Sequence, residues 1–313
     1  MAQSQLAVKK LSFGEKVVKD FKKFKYVYAL ALLGVAYYVI FHYLPMYGIV
    51  IAFKDYRVAR GILGSSWVGF RHFQDFFGSF YFFRLIRNTV LINVYGLIFG
   101  FPAPIILALL LNEIRSTPFK RSVQTITYLP HFISQVVICG IVVDFFSSRG
   151  LVNEIVFTFT GERLMFLLDP KYFRSIYVGS GIWQGVGWGS IIYLAALAGV
   201  DVQLYDAAVI DGCNRFQRML HVTLPGILPT IIIMLILNMG SMMSVGFEKV
   251  ILLYNEAIFE TADVISSFVY RRGFLGASYS FGAAVSLFNS VINFALLITV
   301  NKLAKRLSET SLW

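Results

Sequence analysis

Three carboxylates, Asp201, Asp206 and Asp211, recur every fifth residue on one short polar stretch and form the densest acidic set in the chain. Clustered carboxylates at a membrane face are what an enzyme acting on lipid-linked sugars would need. A metal site is not expected beside them, because His42, His72, His131 and His221 are scattered without ligand spacing. Cys139 sits in an apolar run and Cys213 in the polar stretch, so no structural disulfide is expected. No Gly-x-x-x-x-Gly-Lys-Ser/Thr occurs, so the chain lacks the usual cradle for ATP phosphates. On this reading the chain carries no catalytic residue, no metal and no bound cofactor.

The elements that position these acids read from local rules. The stretch Leu204 to Gly212, running on to Leu224-Pro225, lies between the apolar segments Trp188–Val200 and Ile227–Met239. Asp201 is placed to cap a short helix beginning Val202-Gln203-Leu204. Tyr205, Ala208, Val209 and Gly212 recur at three- and four-residue spacing and so share a face. Small Ala207 and Ala208 allow a second surface close to the backbone. Gly212 suits the left-handed residue that ends a helix. Asn214 with Gln217 predicts a capping box for a second helix, Arg215 to His221. Pro225 then marks the start of the next apolar segment. The expected shape is helix, sharp turn, helix: an L-shaped knob.

Composition fixes the setting. The chain has 313 residues, 57% hydrophobic and 14% charged, where an ordinary soluble domain is about a quarter charged. Apolar runs reach about twenty residues, the length that crosses a hydrocarbon core of about 30 Å. The expected fold is an all-α polytopic membrane protein with six transmembrane helices, at about 26–53, 88–111, 123–146, 173–199, 224–247 and 281–300. The knob, residues 200–223, falls between the fourth and fifth. Residues 1–25, rich in lysine with Leu11, Phe13, Val17, Val18, Phe21 and Phe24 at near-helical spacing, read as a basic amphipathic helix on the inner leaflet. The net charge of +11 fits positive-inside topology and anionic membrane lipid. Nucleic-acid binding would need a basic soluble domain, and none is present. Lysine weight in the N-terminal segment places both termini and the knob on the cytoplasmic side. The aromatic loop after the first span, with Trp67, Phe70, Phe73, Phe76, Phe77, Phe80, Tyr81, Phe82 and Phe83, suits an interfacial segment or a docking surface.

The spans hold few ionisable groups near their centres; Asn93, Gln184, Asn238, Asn289 and Asn293 are neutral. An ion-coupled carrier keeps charges there, so this composition argues against one. Trp183, Gln184 and Trp188, with Tyr193 and Asn238, pair aromatic faces with polar groups in the way sugar sites do, and they are candidates to line a translocation cavity. The many glycines of the fourth span are explained mostly by close helix packing.

Asp206-Ala207-Ala208, Gly212 four residues on, then nine residues to Val222-Thr223-Leu224-Pro225 resembles the EAA loop of binding-protein-dependent ABC importer permeases, with Asp206 standing where that family usually has Glu. His42-Tyr43-Leu44-Pro45-Met46-Tyr47-Gly48, Ala52-Phe53-Lys54-Asp55, Tyr128-Leu129-Pro130, the run Gly187 to Ala196 and the ending Asn301 through Ser311-Leu312-Trp313 are similar to its oligosaccharide and polysaccharide subgroup. The resemblance implies a transport subunit rather than an enzyme. It implies that Tyr205, Asp206, Ala207, Ala208, Asp211, Gly212, Leu224 and Pro225 form the coupling helix that seats in an ATPase. It implies a homologous second permease as heterodimer partner, an ABC ATPase dimer carrying ATP and Mg, and an extracellular or periplasmic sugar-binding protein. The location would be the bacterial cytoplasmic (inner) membrane and the substrate an oligosaccharide or polysaccharide fragment. The alternatives are an ion-coupled secondary sugar carrier and the lipid-linked-sugar enzyme. Arginines in the outer loops (Arg57, Arg60, Arg71, Arg84, Arg149, Arg163) fit an acidic oligosaccharide and fit an acidic binding protein equally well.

Overall fold

In the computed structural model, which describes residues 13–308, helices dominate. Residues 1–12 of the basic segment and the ending Ser311-Leu312-Trp313 lie outside the described residues. Helix Phe13–Lys23 accounts for the described part of that segment. Four helices are long and apolar enough to cross a membrane: Lys25–Phe53, Phe82–Glu113, Gln135–Thr160 and Tyr279–Arg306. Two bent pairs raise the number to as many as six: Pro170–Leu197 with Val202–Ile210, bent by 76°, and Arg215–Gly226 with Leu228–Met239, bent by 60°. The protein is therefore an all-α polytopic membrane protein.

Proline shapes the spans in a repeated way. The turns Val39–Tyr43, Gly96–Gly100 and Met219–Thr223 are widened to π-helix, and each ends two residues before a proline: Pro45, Pro102 and Pro225. A proline has no N–H and its ring clashes with the carbonyl four residues back. A π-turn moves that carbonyl aside, so the helix continues with a local bulge rather than breaking.

The third apolar segment differs from the span expected at 123–146. Helix Thr117–Tyr128 passes into a tight turn at Leu129–Phe132 around Pro130, and a new helix Gln135–Phe146 starts behind Ser134. The Ser134 hydroxyl accepts from the Val137 N–H at 3.4 Å, so a proline and a capping serine divide what hydropathy reads as one run. Residues 147–172, between the third and fourth expected spans, contain helix Leu151–Thr160.

The loop after Phe53 is partly core. Lys54 pairs with Trp67 and Asp55 with Ser66 in a two-residue hairpin, which stacks Trp67 on Phe53 at 5.9 Å between centroids. Phe76 on helix Arg71–Phe77 is fully buried against Phe82, Phe281 and Phe288. Phe80 and Phe83 are exposed, as an interfacial reading requires, but Phe76 belongs to the packing core.

Buried residues gather in three clusters. Cys139, Val142, Phe173, Ile176 and Val250 join helices Gln135–Phe146, Pro170–Leu197 and Phe247–Leu253. Phe76, Leu85, Phe268, Phe281 and Val285 close the end near the hairpin. Ile105, Ala108, Tyr193, Leu197 and Ile227 close the opposite end. Small residues bring helices into contact, as expected without a hydrophobic drive between spans. A Cβ built on Gly187 would stand 2.1 Å from the Thr127 carbonyl oxygen, and one on Gly189 would stand 3.0 Å from the Pro104 ring.

One buried polar network ties the hairpin end together. Asp263, between the fifth and sixth expected spans, is fully buried; it accepts from Arg84 at 3.0 Å, Arg271 at 2.8 Å and Ser267 at 2.8 Å. Asn88, also fully buried, donates to the carbonyls of Glu260 and Asp263, each at 2.9 Å, and accepts from Arg174 at 2.9 Å. A buried charge needs such partners to offset desolvation, and this one pins the segment 259–271 to two spans.

Candidate functional site

Two polar places interrupt the apolar bundle: the bent segment beyond Leu197, and a crevice between the spans.

The bent segment forms an elbow held by its own backbone. The Asp201 carboxylate accepts from the Gln203 N–H at 2.9 Å and starts helix Val202–Ile210. That helix ends at Gly212, whose φ of +76° only glycine adopts without strain. The Cys213 N–H reaches back to the Ala208 carbonyl at 2.9 Å and the Gly212 N–H to Val209 at 3.0 Å, the pair of bonds that defines a Schellman cap. Asn214 and Gln217 then exchange side-chain and backbone hydrogen bonds at 2.8 and 2.9 Å and cap the second leg. The legs are tied by the Tyr205 hydroxyl, which donates to Thr223 Oγ1 at 3.0 Å. Gly226 packs beneath Val200, where a Cβ would meet a methyl at 2.9 Å, so the elbow is seated on the bundle.

Its faces divide the candidate residues. Ala208 is buried and Tyr205 half-buried, both turned to the inside of the bend. Asp206, Ala207, Val209, Asp211 and Gly212 are exposed. Leu224 is half-buried at the junction and Pro225 exposed beside it. Of the two alanines read as room for a second surface, Ala208 serves the elbow's own packing, and Ala207 remains open. The outer surface is apolar: Val202, Leu204, Val209, Phe216 and Leu220 are exposed, and Ile210 is 86% exposed. Exposed apolar side chains gathered in this way mark a surface that another molecule covers.

The crevice lies between helix Phe82–Glu113, helix Pro170–Leu197 and residues 244–249. One cavity of about 380 Å³ is lined by Asn93, Gly96, Gly100, Tyr177, Gly181, Gln184, Gly185, Ser244 and Lys249. A second of about 300 Å³ shares Asn93, Gly96, Gly100 and Pro104 and adds Tyr193, Asn238 and Ser241. Volumes of this size suit a small-molecule site. Gly96 and Gly185 make the room, since a Cβ on either would meet nothing within 4 Å. The glycines of this span thus do two jobs: Gly187 and Gly189 pack helices, and Gly185 opens a groove.

The structure brings Gln184, Tyr193 and Asn238 to this groove and leaves the tryptophans away from it. Trp188 stacks on His131 at 4.5 Å and 3° between planes, with Phe132 edge-on at 5.6 Å. Trp183 lies against Ile141, Val142 and Phe145 in a separate apolar crevice. Trp183 is turned about 100° from Gln184 by one helical step; Trp188 shares nearly the same face as Gln184 and is held off the groove by its stack with His131 and Phe132.

Lys249 is the functional candidate that sequence reasoning missed. It stands on the short helix Phe247–Leu253, outside every span, and is 7% exposed. Its Nζ donates to the Tyr177 carbonyl at 2.7 Å and rests 4.7 Å over the Tyr177 ring. Among the described residues no carboxylate pairs with it. Burial pushes its pKa down to about 8. The nearest signal in the sequence was a lysine beside an apolar run; nothing local foretold that it would fold inward.

A helical membrane subunit with four to six candidate spans, a surface elbow and a glycine-lined polar groove has the build of a transport component. The match to the family described as binding-protein-dependent transport system inner membrane component covers residues 100–308, and the chain belongs to that family. It is 45% identical to Protein LplB of Bacillus subtilis (strain 168) over 93% of this chain and 92% of that protein. It is 43% identical to the polygalacturonan/rhamnogalacturonan transport system permease protein YteP of the same organism, over 92% and 90%. Among solved structures, a chain of a bacterial alginate ABC transporter in complex with an alginate pentasaccharide-bound periplasmic protein aligns with a TM-score of 0.88 and 41% identity, over 95% of this chain and all of that one.

Proposed function

We propose that this chain is the transmembrane permease subunit of an ATP-driven, binding-protein-dependent importer of oligosaccharides or polysaccharide fragments. The observation that carries the proposal is the elbow. A doubly capped, rigid bend with an exposed apolar outer face protrudes from a chain that holds no phosphate-binding loop. Such a part transmits force from a nucleotide-hydrolysing partner. The relatives' names supply the substrate class: polygalacturonan or rhamnogalacturonan for one, alginate for another.

In this reading a homologous permease completes the translocation path, and an ABC ATPase dimer holds ATP and Mg. A sugar-binding protein delivers substrate at the hairpin end. Closure of the ATPase pair drives the elbow as a rigid body, and the two permeases rock between inward- and outward-facing states. The elbow, and with it both termini, then face the cytoplasm of a bacterium.

Purification from native membranes followed by reconstitution tests this. The expected result is a complex containing an ATPase subunit whose sugar uptake requires ATP and a loaded binding protein and resists ionophores. Uptake by the chain without any nucleotide-hydrolysing subunit, collapsing with ionophores, would instead identify an ion-coupled carrier.

A further inference from the structure

We infer that Lys249 is a carboxylate-recognition point in the translocation groove, so that the substrates drawn through it are uronate-bearing, acidic oligosaccharides. The inference rests on the import reading above and adds the charge class of the cargo.

The argument begins with how this chain treats buried charge. Asp263, fully buried, is neutralised by two arginines and a serine. Lys249, nearly as buried, has no acid beside it, and none of the residues lining its cavity is acidic. Buried lysines without a charge partner are rare because desolvation favours the neutral amine. A lysine retained in such a place against that cost is explained if its partner arrives from outside.

The geometry leaves room for the arrival. An ammonium has three donors; one is spent on the Tyr177 carbonyl and one side is covered by the Tyr177 ring. Lys249 lines the cavity beside Gly181, where an added Cβ would stand 3.2 Å from Nζ. Any larger residue at 181 would crowd the ammonium. Around it the groove offers neutral hydrogen-bonding groups: Asn93, whose amide nitrogen already donates to the Thr89 carbonyl at 2.8 Å, Gln184, which has no side-chain partner among the described residues, and Ser244. That set suits a sugar ring: one cation for a carboxylate, amides and a hydroxyl for hydroxyl groups.

The same charge could hold a free inorganic anion, and the test separates the two. The full complex with its ATPase and binding protein is reconstituted in proteoliposomes, as wild type, Lys249→Gln and Lys249→Arg. Uptake is measured with galacturonate trisaccharide and with its carboxyl-reduced, neutral counterpart, alongside ATP hydrolysis stimulated by the loaded binding protein. The expected result for Lys249→Gln is an acidic-to-neutral uptake ratio at least 10-fold below wild type, restored in Lys249→Arg. Equal loss of both sugars, or no loss of either, would overturn the inference, the second outcome leaving at most a site for a free anion. If wild type imports neither sugar, the import reading fails first. Should the glutamine variant not assemble, the wild-type acidic-to-neutral uptake ratio decides. It should fall as pH rises through about 8, with the Cys139 thiol and Tyr177 phenol as the titratable groups facing Lys249. A ratio flat from pH 7 to 9 would refute the assignment.

Discussion

Replacing Gly212 isolates what the elbow does. The backbone there sits at φ +76°, and a Cβ would meet nothing within 4 Å. A substitution therefore strains the chain through torsion alone, at about 1–2 kcal/mol for an L-residue in the left-handed region, with a β-branched residue at the upper end. Relaxing that strain would break the two bonds of the cap, at 2.9 and 3.0 Å, each contributing on the order of 1 kcal/mol. Relaxation forfeits those bonds, so a substituted chain divides between a strained bend and an uncapped one. For 1–2 kcal/mol the ratio of bent to uncapped elbows falls roughly 5- to 30-fold, which sets the upper limit on the loss. Gly212→Val should lower uptake per ATP hydrolysed by up to that factor in proteoliposomes while the chain still inserts. Gly212→Asn should stay within about 2-fold, because asparagine visits the left-handed region more readily. Wild-type coupling in the valine variant would refute the reasoning. Equal loss in valine and asparagine would show that side-chain bulk, rather than torsion, is what matters.

Three further outcomes follow from the same geometry. Tyr205→Phe removes the bond to Thr223 Oγ1, about 0.5–1.5 kcal/mol, and should lower coupled uptake roughly 2- to 12-fold with complex assembly unchanged on size exclusion. Asp263→Asn leaves Arg84 and Arg271 facing each other without a counter-charge; removing one partner of a buried pair costs about 3–5 kcal/mol, so the purified subunit should melt well below wild type. Gly187→Ala drives a methyl into the Thr127 carbonyl, whereas Gly185→Ala meets open groove. The first should lose about 1–3 kcal/mol in thermal unfolding and the second should match wild type.

How far the residues foretold this structure depends on the range of the rule involved. Asp201, Gly212 and the Asn214–Gln217 box all act within four residues of where they stand, and the elbow they define appears where they placed it; Pro225, read as the start of the next apolar segment, lies instead inside helix Arg215–Gly226, and the bend falls at Ile227. Hydropathy gives six spans, the upper end of the four to six that the helices allow. Pro130 and Ser134 were visible, but hydropathy averages over them, so the break at Ile133 and the helix in 147–172 went unread. Burial was the harder quantity. Asp263 and Lys249 lie outside the expected spans, and contacts with residues 72 to 179 positions away, Tyr177 and Arg84, carry them inward. Residue type alone points Trp183 and Trp188 to the groove; one helical step turns Trp183 into a separate apolar crevice, and the stack with His131 holds Trp188.

The central claim is that the outer face of the elbow seats in an ATPase, and photo-crosslinking addresses it most directly. A benzophenone amino acid placed at Ile210, exposed at the elbow, is compared with one at Leu63, exposed at the hairpin end. The account predicts an adduct between position 210 and an ATPase subunit in the purified complex, its yield changing with bound nucleotide, and none from position 63. An ATPase adduct from 63 and none from 210 would contradict it.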